Sequence, residues 1–85
     1  MNKKDPFITD KPMIDYSIDF DKSKMPKHIR EMIEELEKYD ELGDWLSYDL
    51  LFDNLEVFAK GYVIHNAISE ADYKKMLAKY GELYD

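Results

Sequence analysis

The alternation of apolar and polar positions divides the chain near Met25-Pro26. Upstream, Ile14, Tyr16, Ile18 and Phe20 alternate with Asp15, Ser17, Asp19 and Asp21, the period-two signature of a half-buried strand. A lone strand lacks a ladder partner, and the other candidate, Phe7-Ile8-Thr9, is short and flanked by Pro6 and Pro12. The arm is therefore open to four readings: a strap across the body, a strand paired with its own copy, an addition to the edge of a partner's sheet, or a disordered segment.

Downstream the period changes to that of a helix. Pro26 suits a first helical position, and Ile29, Met32, Ile33 and Leu36, with Tyr39, recur at spacings of three and four. Gly43 supplies a stop and Asp44 a cap for the next helix, so the two helices become antiparallel neighbours. In the second helix, steps of about 100° place Trp45, Tyr48, Leu51, Phe52, Leu55, Phe58, Ala59, Tyr62 and Val63 on one broad face. Asp49, Asp53, Glu56 and Lys60 form a narrow polar strip, and beyond it lies a second apolar line, Leu46, Leu50, Val57 and Ile64. A helix apolar on two sides is either central in its domain or buried in an oligomer. Ser47, Asn54 and Gly61 follow at seven-residue intervals between the apolar regions, a low strip where another backbone could approach. In the third helix Ser69 is an N-cap with Asp72 at N3, Ile68 is placed to staple onto Tyr73, and Tyr73, Met76, Leu77 and Tyr80 form the stripe that Gly81 ends.

The expected fold is all-α: a three-helix bundle with an extended N-terminal arm carrying a strand-like pattern. The arm covers about residues 1–24 and the helical body 25–85, with helices over about 26–42, 45–65 and 70–80. A chain of 85 residues supports one core at most. It has no cysteine, so disulfides, thiolate chemistry and cysteine-bound zinc are excluded. The start Met1-Asn2-Lys3-Lys4-Asp5-Pro6 has no apolar stretch behind its lysines, and no run is long enough to span a bilayer. A cytoplasmic protein without membrane contact is expected.

The net charge of −7 opposes direct contact with nucleic acid, whose affinity rests on basic side chains. Its distribution is uneven. Between Pro26 and Glu56, Lys27, Arg30 and Lys38 stand against Glu31, Glu34, Glu35, Glu37, Asp40, Glu41, Asp44, Asp49, Asp53 and Glu56, and the charges elsewhere balance. Such a stretch is either a solvated face or a surface for a basic partner. The candidate partner-binding residues are Glu31, Glu34, Glu35, Glu37, Asp40, Glu41, Asp49, Asp53 and Glu56, with Leu46, Leu50, Val57 and Ile64 as the candidate oligomer face.

Catalytic signals are lacking. His28 and His65 have neither a His-Glu-x-x-His arrangement nor a second ligand pair, so no metal and no cofactor are expected. The carboxylates adjoin no nucleophile, and Asp40-Glu41-Leu42-Gly43-Asp44 lacks the alternating oxygens of a calcium loop. Lys74, Lys75 and Lys79 on the third helix suggest a DNA-reading helix, but its first turn holds Glu70 and Asp72, as the helix dipole favours in any helix. No enzyme is expected. Most of the seven tyrosines fall on core stripes, with Tyr39 and Tyr84 as the exceptions.

The run from Pro26 through Leu36, then Gly43-Asp44-Trp45, Ile68-Ser69-Glu70-Ala71-Asp72-Tyr73 and Lys79-Tyr80-Gly81 resembles small uncharacterised acidic helical proteins encoded on bacterial conjugative elements and phages. The resemblance covers the helical body and not the arm, and it implies an accessory role in a mobile element. Three functional expectations follow: an interaction protein presenting its acidic surface to a basic partner, an inhibitor whose carboxylates imitate nucleic-acid phosphates, or a structural homodimer joined through the second apolar line of the middle helix.

Overall fold

Local signals set the helix boundaries. The computed structural model describes residues 13–81, in which three helices follow one another: α1, Lys27–Leu42; α2, Trp45–Ile64; and α3, Glu70–Tyr80. Pro26 stands one place earlier than expected, as the extended residue before α1 rather than its first helical residue. At the other end Gly43 adopts φ 74°, a left-handed conformation that a residue without Cβ takes at little cost. Its N–H donates to the Asp40 carbonyl and the Asp44 N–H to that of Tyr39, the paired bonds that close a helix and reverse the chain. Asp44 then caps α2, its carboxylate accepting the Ser47 N–H at 3.2 Å.

The end of α2 uses the same device without glycine. Asn66 is left-handed at φ 63°, with its N–H on the Val63 carbonyl and the Ala67 N–H on that of Tyr62. Asparagine tolerates this region better than other residues bearing a Cβ. Ser69 caps α3 by accepting the Asp72 N–H at 3.0 Å, and Ile68 just before it is buried.

The middle helix is the axis of the fold. Both α1 and α3 pack on α2, whereas α1 and α3 make no close backbone approach to each other. Ile29, Met32, Ile33 and Leu36 from α1 meet Tyr48, Phe52, Leu55 and Ala59 from α2 and Met76 and Tyr80 from α3 in one buried cluster. Residues 13–25 complete the wall that α1 and α3 leave open. The Met13 N–H donates to the Asp40 carboxylate at the end of α1, and the Asp15 N–H to the Lys79 carbonyl at the end of α3, 2.9 Å away. Met13, Ile14, Phe20 and Met25 are buried, and Phe20 meets Tyr80 edge to face with centroids 6.0 Å apart.

This segment is a strap, and the strand expected from its alternation is not formed. Among residues 13–25 the regular element is one 3-10 turn, Lys22–Lys24. The polar residues of the supposed strand turn the chain instead: Asp15 accepts from the N–H and hydroxyl of Ser17, and Asp21 does the same with Ser23. Those bonds hold both carboxyls below their ordinary range. Ile14 and Phe20 therefore point inward while Tyr16, expected in the core, is 63% exposed. Phe7-Ile8-Thr9 and Tyr84 lie outside the described residues.

Candidate functional site

The face of α2 opposite the core is the feature that the fold leaves unexplained. With Tyr48, Phe52, Leu55 and Ala59 pointing into the bundle, the helical repeat turns Leu46, Leu50, Val57 and Ile64 outward. Their exposures are 39%, 61%, 70% and 70%, and Leu42 at the end of α1 adds another exposed leucine. The strap binds the ends of α1 and α3, and its four buried apolar side chains belong to the core cluster. A folded monomer ordinarily scatters its exposed aliphatic residues, so four on one line over some 27 Å of helix call for a function.

Neighbouring groups define the two borders of this line. On the α1 side lie Ser47, Asn54, Gly61 and His65, followed by Phe58, which meets the His28 ring with centroids 4.9 Å apart. Phe58, on the broad face expected to be core, is 48% exposed and meets the His28 ring near the start of α1. His28, Phe58, Gly61, Tyr62 and His65 line an open cleft of about 310 Å³, more apolar than polar. A Cβ built on Gly61 would meet nothing within 4 Å. On the α3 side lie Asp49, Asp53, Glu56 and Lys60, and burial, followed by the Glu56 charge, raises the Tyr73 hydroxyl above its usual range.

The acidic residues expected to form one surface are divided by the fold. Glu31, Glu34, Glu35 and Glu41 are exposed along the outer side of α1. Lys27 stands 4.0 Å from Glu31, a fully solvated pair of little energetic weight. Asp49 is half-buried, and Asp53 and Glu56 are exposed on α2. Two members leave the set. Glu37 pairs with Lys22 of the strap at 2.6 Å, and Asp40 accepts from the Met13 N–H and, at 3.2 Å, from the Tyr16 hydroxyl. These two carboxylates hold the strap, and sequence reasoning had no local signal for that, since the bonded residues lie 15 to 27 positions apart.

Among the described residues no three of His, Asp and Glu come together in a group that could hold a metal ion. A second hollow of about 150 Å³ has Asp19, Asp21 and Asp72 facing Lys24 and Lys75, charges that largely offset one another. Among the described residues, no helix is long and apolar enough to cross a membrane. The described residues thus form a strap-completed three-helix fold with an exposed apolar line on α2 and acidic residues beside it. No family model matches the chain, and no curated protein or solved structure matches it either.

Proposed function

We propose that this is a non-enzymatic protein-binding module that receives a basic partner on the outward face of α2 and the carboxylates beside it. The observation that carries the reading is the exposed line Leu46, Leu50, Val57 and Ile64 with Asp49, Asp53 and Glu56 along one border, beside a helix α1 whose Glu31 and Glu35 are exposed. An apolar centre with a charged rim is the anatomy of a protein interface, where buried side chains supply affinity and the rim sets partner choice. A mimic of nucleic-acid phosphates would carry its charge through the centre of the contact, where this face is aliphatic. That consideration ranks the mimic second. An accessory role in the cytoplasm, on a conjugative element or phage, is what the resemblance in the sequence would imply for such a module.

The test is photo-cross-linking in the source cell from a reactive residue placed at position 57, compared with one placed at the exposed Lys74 of α3. The expected result is one dominant heterologous product from position 57, lost with Leu50→Glu and absent from position 74. Equal, diffuse products from both positions would remove the reading.

A further inference from the structure

We infer that the occupant of the outward α2 face is one amphipathic helix of a basic partner. It lies alongside α2 with its apolar stripe on Leu46, Leu50, Val57 and Ile64, lysines or arginines at its flanks, and one large apolar side chain in the cleft at Gly61. The inference rests on the proposed function and deepens it by stating the partner's form.

A helix is indicated by what α2 does not offer. The backbone groups of its interior are bonded along the helix, so no edge is available to pair with an extended peptide, which would bring its own N–H and C=O groups against aliphatic side chains unsatisfied. A second helix brings its backbone already paired. The spacing agrees, because Leu50, Val57 and Ile64 recur every seven residues, and Ser47, Asn54 and Gly61 repeat the interval as a low strip beside them. At Gly61 the strip opens into the cleft of about 310 Å³ bordered by Phe58 and Tyr62, and the space above the missing Cβ is empty. That is room for one leucine, methionine or aromatic anchor, the kind of side chain that dominates binding energy when it fills a pocket.

Charge decides between a foreign helix and a second copy of this chain. Beside the apolar line Glu56 is exposed on α2, and Glu31, Glu34 and Glu35 are exposed on α1. A second copy meeting this face would present the same acidic side chains, each copy carrying −7 overall. A helix flanked by lysine or arginine meets the same border with opposite charge, which favours both encounter and register.

The experiment titrates the full chain, isotopically labelled for amide resonances, with two synthetic 20-residue helical peptides. They share one leucine stripe and differ in carrying lysine and arginine or glutamate at the flanks. The expected result is that the basic peptide binds at least about tenfold tighter than the acidic one, with a margin that shrinks as salt rises. Its shifts should centre on Leu50, Asn54, Val57 and Gly61. Val57→Glu should weaken it by about tenfold or more, and so should Gly61→Leu, which fills the cleft. Val57 is exposed, so the folded state should tolerate the charge, and circular dichroism checks that it does. Equal affinities, absent binding or shifts centred elsewhere overturn the inference. So does a dimer in sedimentation equilibrium that Val57→Glu dissociates, which would make the second copy the occupant. Failure of the peptides beside a heterologous cross-link from position 57 overturns the helical form alone, whereas a cross-link only to the chain itself removes the proposed function too.

Discussion

The Tyr48 hydroxyl donates to the Tyr80 carbonyl at 2.6 Å, a bond between buried groups 32 residues apart that ties the start of α2 to the last residue of α3. The carbonyls of a last helical turn have no partner within the helix, so a buried one must find its donor elsewhere. Tyr48→Phe keeps the ring and removes that donor. It should cost about 1–3 kcal/mol, the range for stranding a buried acceptor, read as a lower urea midpoint at unchanged slope. An unchanged midpoint would mean that water satisfies the carbonyl and the bond matters little.

Gly81 ends α3 for a reason of packing. Its φ of −120° is open to any residue, but a Cβ there would stand 2.3 Å from Cζ of the Phe52 ring. Gly81→Ala should therefore destabilise by about 1–3 kcal/mol through overpacking. Adding Phe52→Leu should recover part of the loss, since the clash disappears with the ring. Strict additivity in the double-mutant cycle would show that the two sites do not press on each other.

The strap hangs from Asp40. Asp40→Ala removes the acceptor for the Met13 N–H and the Tyr16 hydroxyl, and Lys22→Ala removes the partner of Glu37. Asp40→Ala should cost about 1–2 kcal/mol and speed proteolysis within residues 13–25, while Lys22→Ala, a part-exposed pair, should cost less than about 1 kcal/mol. Equal cleavage of wild type and Asp40→Ala would place the anchorage in the buried Ile14 and Phe20 instead.

The helices were legible because their stop and start signals are local. Gly43, Asp44 and Ser69 act within a few residues of themselves, and the stripe of α1 needs no tertiary partner to be read. The outward line of α2 was legible too, since a helix with its core side filled has one direction left. The strap was not. An alternating pattern specifies a strand only where a second strand supplies the ladder; here Asp15 and Asp21 spend their polarity on Ser17 and Ser23, and Asp40 and Glu37 collect the strap from the far end of α1. The left-handed close at Asn66 carries a weaker signal than Gly43, because asparagine takes that conformation less readily than glycine.

Alkali should test the core from the α3 end. Burial, and next the charge of Glu37, raise the Tyr80 hydroxyl far above its ordinary value of 10.0. The folded state thus holds a proton that the unfolded chain releases first. The stability this contributes is complete below pH 10.0 and declines as pH rises from there toward the folded value. Denaturant midpoints measured on both sides of that pH should fall in the wild type and fall less in Tyr80→Phe. If Tyr80→Phe declines just as steeply, other groups govern alkaline unfolding.

Gly61 separates the stability of the fold from its use. In a helix, glycine to alanine gains about 0.5–1 kcal/mol from reduced freedom of the unfolded chain, and at Gly61 nothing stands within 4 Å to oppose the added methyl. Gly61→Ala should therefore raise the midpoint. The same methyl sits in the cleft between Phe58 and His65, where a docking helix needs its closest approach, so affinity for the basic peptide should fall a few-fold. The two effects have opposite signs, which no general loosening of the protein would produce. Val57→Glu completes the comparison, because this 70% exposed position should leave stability within about 0.5 kcal/mol while weakening the contact by about tenfold or more. A Gly61→Ala protein that gains stability and keeps full affinity would show that the partner stays clear of this strip.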